Sequence, residues 1–341
     1  MHGTARLMTA VDHPAATPSV DDHPGATPSN DASALIPAAE LRELNGRSDR
    51  AGWLQTLSHA ALILATGWVW GDERLSLLLR LPALLLCGWG LAFAFCAMHE
   101  CGHRTAFASR AVNDAVAWWA GVLSFYNADF YRRYHQWHHR YTHQPGLDPE
   151  LEDQPPTSRW AYLLELSGLP WWNAKLRGHL RGLRGEFSAN PYIPADAAPA
   201  VRSSLLKQAA VYGVLLLLSV PGGNGFLLWH WLLPLALGQP LLRFVLLAEH
   251  GGCDTGTNGL SNTRTTSTLA PLRWLMWNMP FHAEHHLFVS VPFHALPAAH
   301  QWLAPQLRHL DPGYLAVHRR FLADPSLLEL PAAPTLQPQP V

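Results

Sequence analysis

Charged residues and cysteines are both scarce in this chain. Asp, Glu, Lys and Arg make up 14% of its 341 residues, whereas soluble domains usually carry about a quarter. The formal net charge is -1, so the composition gives no indication of nucleic-acid binding. The four cysteines form neither a CxxC pair nor a disulfide framework. No basic start followed by an apolar stretch is present, so we do not expect a cleaved signal peptide.

The chain has long apolar runs in place of charge. Four of them, each about as long as a bilayer-spanning helix, lie at residues 53–70, 77–98, 205–220 and 226–248. The glycine-rich segment 221–225 predicts a tight turn that joins the last two runs into a helical hairpin. Buried helices of a soluble core are the alternative, which two hairpins this apolar disfavour. We therefore predict an all-α integral membrane protein with four transmembrane helices.

The two ends differ from the middle in composition. Residues 1–38 are rich in Pro, Ala, Ser and Thr and repeat DHPAATPS at 12–19 as DHPGATPS at 22–29. Such a segment cannot bury a core, so we expect a disordered tail there and a loose Pro-rich tail over 325–341. Residues 50–324 are predicted to form one membrane-bound domain.

Histidines occur in three clusters at helical spacing. Residues three or four apart share one face of a helix, where their ring nitrogens can reach one ion. Eight imidazoles exceed the four to six ligands of a single ion, so the clusters predict two metal ions in one site. The clustered residues are His99, His103, His135, His138, His139, His282, His285 and His286.

The order of runs and clusters allows the clusters to meet. The first cluster ends the second run, the second cluster follows without another long run, and two runs precede the third cluster. An even number of crossings returns the chain to the same side. Residues 130–207 are richer in Arg and Lys than the turns at 71–76 and 221–225, which places the clusters in the cytoplasm. We expect a cytosolic helical cap, with 111–129 as an interfacial or re-entrant helix.

Three segments resemble the membrane-bound fatty acid desaturase superfamily in order and spacing, and most of all its bacterial fatty-acyl desaturases. They are MHECGH at 98–103, RRYHQWHHRYTH at 132–143 and NMPFHAEHHLFVSVPFHALP at 278–297. The resemblance implies four spans, a cytosolic cap and two irons, ferrous when reduced, bound almost wholly by these histidine boxes.

The resemblance also implies a ninth histidine ligand between the fourth span and the third box. His250 occupies that place, and His143 is a competing candidate. Relatives of the animal stearoyl type carry an Asn four residues before that histidine. Leu246 stands there in this chain, which leaves Glu249 or Asn278 as possible substitutes.

Metal-bound imidazoles are usually held in place by hydrogen bonds to neighbouring acceptors. The polar residues near the boxes that we expect in that supporting role are Glu100, Asp148, Glu249, Asn278 and Glu284. No catalytic residue is predicted beyond the ligands of the two irons.

The resemblance implies an O2-dependent oxidoreductase that desaturates a fatty acyl chain. The sequence holds no flavin, haem or iron–sulfur motif. We therefore expect an external electron donor of the ferredoxin, rubredoxin or cytochrome b5 type with its reductase. The remaining expected partners are the membrane, which is the inner membrane in a bacterium, and a lipid or acyl-carrier substrate.

Three other functions stay open. A hydroxylase or ketolase of the same superfamily, acting on a carotenoid or another lipid, would carry the same boxes. The first box also matches the HExxH motif of zinc proteases, with Glu100 as general base. That interpretation leaves six box histidines unexplained. A metal carrier or sensor would place its histidines within the spans rather than beyond their ends.

Overall fold

The computed structural model describes residues 35–152, 155–220 and 225–330. The predicted tails therefore lie outside it except for their inner ends, and so does most of the predicted turn at 221–225. At those inner ends, Ile36 is buried in a small cluster with Phe288 and Leu296, and Leu328 is buried in the main core.

The described residues are predominantly helical, as the apolar and histidine spacing predicted. A single pair of two-residue parallel strands occurs among them, β1 (Thr265–Thr266) with β2 (Leu310–Asp311). The helices are α1 (Ala38–Leu44), α2 (Asp49–Gly71), α3 (Leu77–Gly102), α4 (Arg110–Ser124), α5 (Ala128–Arg140), α6 (Arg159–Leu166), α7 (Leu169–Arg184), α8 (Ala198–Ser219), α9 (Leu233–His250), α10 (Ala270–Leu275), α11 (His282–Leu287), α12 (Leu296–Leu303) and α13 (Tyr314–Ala323).

Three described helices are long and apolar enough to cross a membrane. They are α3, α8 and the helix formed by α9 with the π-helical turn Leu228–Leu232 before it. Many of their leucines face outward; Leu78 is 86% and Leu218 is 73% exposed. The predicted first span does form the helix α2, but polar Gln55 and His59 lie within it. Its crossing of the membrane remains a prediction.

Helix α3 runs through the centre of the core and packs on α2, α4 and α9. Its closest neighbour is α9, because glycines face each other where the two helices meet. A Cβ on Gly238 would lie 2.0 Å from the Gly88 carbonyl oxygen, and one on Gly88 would lie 2.2 Å from the Pro234 carbonyl oxygen. Small residues allow such close helix approach in membranes. The consequence is that the ends of α3 and α9 lie side by side.

Helix α5, which carries the second histidine cluster, is held at its first turn by Asn127. The Asn127 Oδ1 atom accepts a hydrogen bond from Phe130 N at 3.0 Å and so caps the helix. The Asn127 amide donates to Ser204 Oγ and Gln208 Oε1, both at 3.1 Å on α8. The predicted interfacial segment 111–129 forms α4 and the turn into this cap.

Candidate metal centre

The three histidine clusters converge where α3, α5, α9 and α11 end or begin. The first cluster closes α3, the second lies in the last turns of α5, and the third forms α11. His250 is the last residue of α9. The structure thus brings together all eight box histidines and His250.

The nine imidazoles form two adjacent groups. In the first group, ligand atoms of five histidines lie within 4.8 Å of one another: His99, His103, His135, His139 and His285. The second group contains His138, His250 and His286 at the same mutual spacing. His282 belongs beside them, because its Nε2 lies 3.2 Å from Nε2 of both His250 and His286.

The nitrogen–nitrogen distances fit ligands that share an ion. His139 Nε2 lies 2.9 Å from His135 Nε2 and 3.1 Å from His285 Nε2. Two nitrogens at about 2.1 Å from one ion and at right angles to each other would lie about 3 Å apart. Both ring nitrogens of buried His99 lack a hydrogen-bond partner among the described residues. A metal ion would satisfy one nitrogen of each ring, so the donor set fits a metal site.

The second group is held by acceptors behind its rings. The Nδ1–H of His138 donates to Asp148 Oδ1 at 2.9 Å, and His250 Nδ1 donates to the Asn262 carbonyl at 3.2 Å. Thr142 Oγ1 gives its hydrogen to a backbone carbonyl and accepts from His286 Nδ1 at 3.1 Å. Each acceptor fixes the tautomer that leaves Nε2 for the metal.

Asp148 was predicted in this supporting role, and its contacts fit that role. Beyond His138, its carboxylate accepts backbone hydrogen bonds from His143 at 2.7 Å and Glu150 at 2.9 Å. Glu249 also reaches a box histidine, with its Oε2 3.4 Å from His282 Nε2.

Glu100, Glu284 and Asn278, by contrast, do not contact the box histidines. Glu100 accepts from Thr105 Oγ1 and Phe293 N, and Glu284 contacts Thr265 and His300. Both acids immediately neighbour a histidine in sequence, and consecutive helical residues point in different directions.

Asn278 donates to the Phe293 carbonyl at 3.0 Å. His143, the other candidate for the ninth ligand, also lies outside both groups and contacts the Asp254 carbonyl through Nδ1 at 2.7 Å.

Glu150 is a site residue that the sequence did not predict. Its Oε2 lies 3.8 Å from His138 Nε2, and its side chain is 34% exposed. With His135 and His138 it forms a third potential metal-holding group. The available signal was weak, since Glu150 lies in a short 3-10 turn after Asp148 rather than at helical spacing from a histidine.

The electrostatics of the site favour a cation among neutral imidazoles. Burial, together with the nearby His138, lowers the pKa of His285 to about 3. Burial alone would lower the pKa of His138 too, but the carboxylates of Glu150 and Asp148 raise it to about 9. Neutral rings are the form that binds metal, so His138 would lose its proton on binding, and the same two carboxylates would then stabilise the metal cation in place of that proton.

Comparison with known proteins identifies the family. The fatty acid desaturase family profile matches residues 75–318. The chain belongs to this family. Its structure holds a histidine-rich potential metal site.

Curated relatives of this family match this chain over different lengths. Mouse sphingolipid delta(4)-desaturase/C4-monooxygenase DES2 is 28% identical over 236 residues, 64% of this chain and 65% of its own. Dihydrorhizobitoxine desaturase of Bradyrhizobium elkanii is 27% identical over 64% of each chain. The sn-1 oleoyl-lipid 12-desaturase of a Picosynechococcus strain is 33% identical over 30% of this chain and 32% of its own. The chain thus spans just under two thirds of its longer-matching relatives.

Proposed function

We propose that this protein is a membrane-bound di-iron oxidoreductase that uses O2 and external electrons to desaturate a fatty acyl chain. The observation that carries the proposal is the convergence of nine imidazoles into two groups at the ends of apolar helices. The names of the relatives given above, each of which describes a desaturase, support it.

Each group of histidines would hold one iron. Bound iron would supply the activation of O2 that protein side chains cannot perform. The chain's own residues position and shield the site. Asp148 and the Asn262 carbonyl orient rings of the second group, while buried Phe95 and Met98 in α3 exclude water beside His99.

A four-span topology with a cytoplasmic active site belongs to the same proposal. Helix α2 would be the additional span, since it is 23 residues long and packs along α3. The basic residues of 130–207 support a cytoplasmic metal centre by the positive-inside rule. Electrons would then come from a cytoplasmic donor of the ferredoxin, rubredoxin or cytochrome b5 type with its reductase.

Hydroxylation is the second candidate outcome. It is favoured by the name of the DES2 relatives, which covers both a desaturase and a C4-monooxygenase. A zinc protease is not favoured, because the Glu100 carboxylate is engaged by Thr105 and Phe293 rather than turned to the histidines.

The test is product analysis in an expressing host, with His138→Ala beside the wild type. We expect the wild type to give new unsaturated acyl chains in the host lipids, and His138→Ala to give none while still inserting in the membrane. His294→Ala is the control, since His294 lies outside both groups. Hydroxylated products would select the monooxygenase outcome. Full activity of His138→Ala would contradict the assignment of the site.

A further inference from the structure

Two cations lie together on one tyrosine, close to the metal centre. Tyr126 lies between α4 and α5, and its hydroxyl accepts a hydrogen bond from Arg243 Nη2 of α9 at 2.9 Å. The Lys175 Nζ of α7 lies 4.0 Å from the centre of the same ring. Trp171 contacts both Tyr126 and Arg243. Its Nε1 donates to the Tyr126 hydroxyl at 3.0 Å, and Arg243 lies over its ring at 5.3 Å.

Neither cation forms an ion pair with a described residue. Among the described residues no carboxylate oxygen lies within 4.0 Å of the charged nitrogens of Lys175 or Arg243. Glu150 interacts electrostatically with both from farther away, and Glu249 with Arg243. Both cations contact aromatic rings instead of forming ion pairs. These contacts stabilise the charges less than ion pairs would.

Tyr126 and Arg243 have hydrogen-bond donors without an acceptor among the described residues. The Tyr126 hydroxyl accepts from two groups that can only donate, so its own hydrogen is left without an acceptor among the described residues. Tyr126 is only 5% exposed. Among the described residues, the buried Arg243 Nε has no hydrogen-bond partner, and Lys175 Nζ lies over the rings of Tyr126 and Trp171. A site that offers several N–H and O–H donors and two positive charges matches an oxyanion.

The donors are close to the histidines. The Tyr126 ring lies 5.8 Å from that of Tyr131, which in turn stacks on His135 at 5.0 Å. Along α9, Arg243 shares a helix face with His250 and with Gln239, one turn before it. Gln239 is fully buried, and neither of its amide atoms has a partner in the described chain.

We propose that Tyr126, Lys175 and Arg243 bind the oxyanion at the polar end of the substrate, a carboxylate or a phosphate. The bound anion would fix how far the hydrocarbon chain reaches and so which carbon meets the metal centre. The substrate is then an anionic amphiphile, which a neutral carotenoid is not. That the bound anion is the substrate rests on the proposed function. The binding of an anion itself can be tested without turnover.

The protonation of Lys175 agrees with this role. Burial, together with the nearby Arg243, lowers the pKa of Lys175 to about 7, although Glu150 opposes the shift. A bound oxyanion favours the charged amine, so ligand binding and protonation of Lys175 support each other.

The experiment measures equilibrium binding to detergent-purified, metal-loaded protein through quenching of tryptophan fluorescence. The ligands are hexadecanoate, hexadecyl phosphate and neutral hexadecanol. We expect at least one anion to bind about tenfold or more tightly than the alcohol, as a charge-assisted contact gives. The anion that binds more tightly identifies a carboxylate or a phosphate as the source.

Variants assign the preference to these residues. Arg243→Gln and Lys175→Met should each reduce it by about tenfold and leave hexadecanol binding within about twofold. Arg177→Gln is the matched control, because Arg177 is an exposed arginine on the same helix α7. Lys175→Met changes a half-buried side chain, so it remains informative if Arg243→Gln fails to fold.

Equal affinity for anion and alcohol in the wild type, or a preference unchanged in the folded variants, would overturn the proposal. A wild type that desaturates lipids without this preference would overturn the anion site alone. A wild type that shows the preference, and loses it in the variants, but forms no oxidised lipid would overturn the proposed function and leave the anion site standing.

Discussion

At the scale of single residues, the candidate metal centre depends on side chains outside the two groups of histidines. Asp148 is the clearest case. It is almost fully buried, and its carboxylate accepts hydrogen bonds from the His138 ring and from two backbone N–H groups. Because the ring is already held in place, the His138 side chain would lose little conformational entropy when its Nε2 binds a metal. Supporting contacts of this kind typically change metal affinity or activity 10–100-fold.

We predict that Asp148→Asn lowers metal occupancy or turnover by about 10–100-fold, because an amide gives His138 a weaker and differently charged acceptor. Metal content per chain and product formation are the measurements. Asp196→Asn is the control, since Asp196 is an exposed loop residue. An Asp148→Asn protein with unchanged occupancy and turnover would show that His138 is positioned by other contacts.

Residue spacing also explains which side chains could be found from the sequence. The i, i+3 and i, i+4 pairs placed the box histidines on shared faces, and the structure brings them together. The same rule explains why Glu100 and Glu284, one position from a histidine, point elsewhere. Glu150, Lys175 and Tyr126 carried no such spacing. They meet the site only through folding, since all three lie outside the histidine boxes.

At the scale of elements, the contact between α3 and α9 sets the geometry of the site. Helix α3 carries His99 and helix α9 carries His250. The separation of the two helices is fixed where Gly88 and Gly238 meet. The apolar runs predicted both helices. They did not predict this crossing, because a glycine in an apolar run does not reveal which helix it faces.

We predict that Gly238→Ala destabilises the protein by about 1–3 kcal/mol, since its Cβ would press on the Gly88 carbonyl and force the helices apart. Metal occupancy should fall with it. Thermal unfolding in detergent and metal content measure the two effects. Gly213→Ala on α8 is the matched control, because nothing lies within 4 Å of a Cβ there. Equal melting temperatures for the two variants would contradict this account of the crossing.

At the scale of the whole molecule, apolar helices carry a buried polar centre at one end. Exposed leucines near the start of α3 give way to buried histidines at its end. The sequence predicted this division from its segregated composition, because apolar residues and clustered histidines occupy different stretches. The extent of the first span could not be predicted as firmly, since α2 mixes apolar residues with Gln55 and buried His59.

The number and identity of metal ions per chain test the central claim most directly. Protein purified anaerobically in detergent should contain about two irons per chain, because nine imidazoles form two groups that a single ion cannot satisfy. Elemental analysis of the wild type, before and after iron reconstitution, gives the result. About one zinc and no iron, persisting after reconstitution, would contradict the di-iron centre and the function built on it.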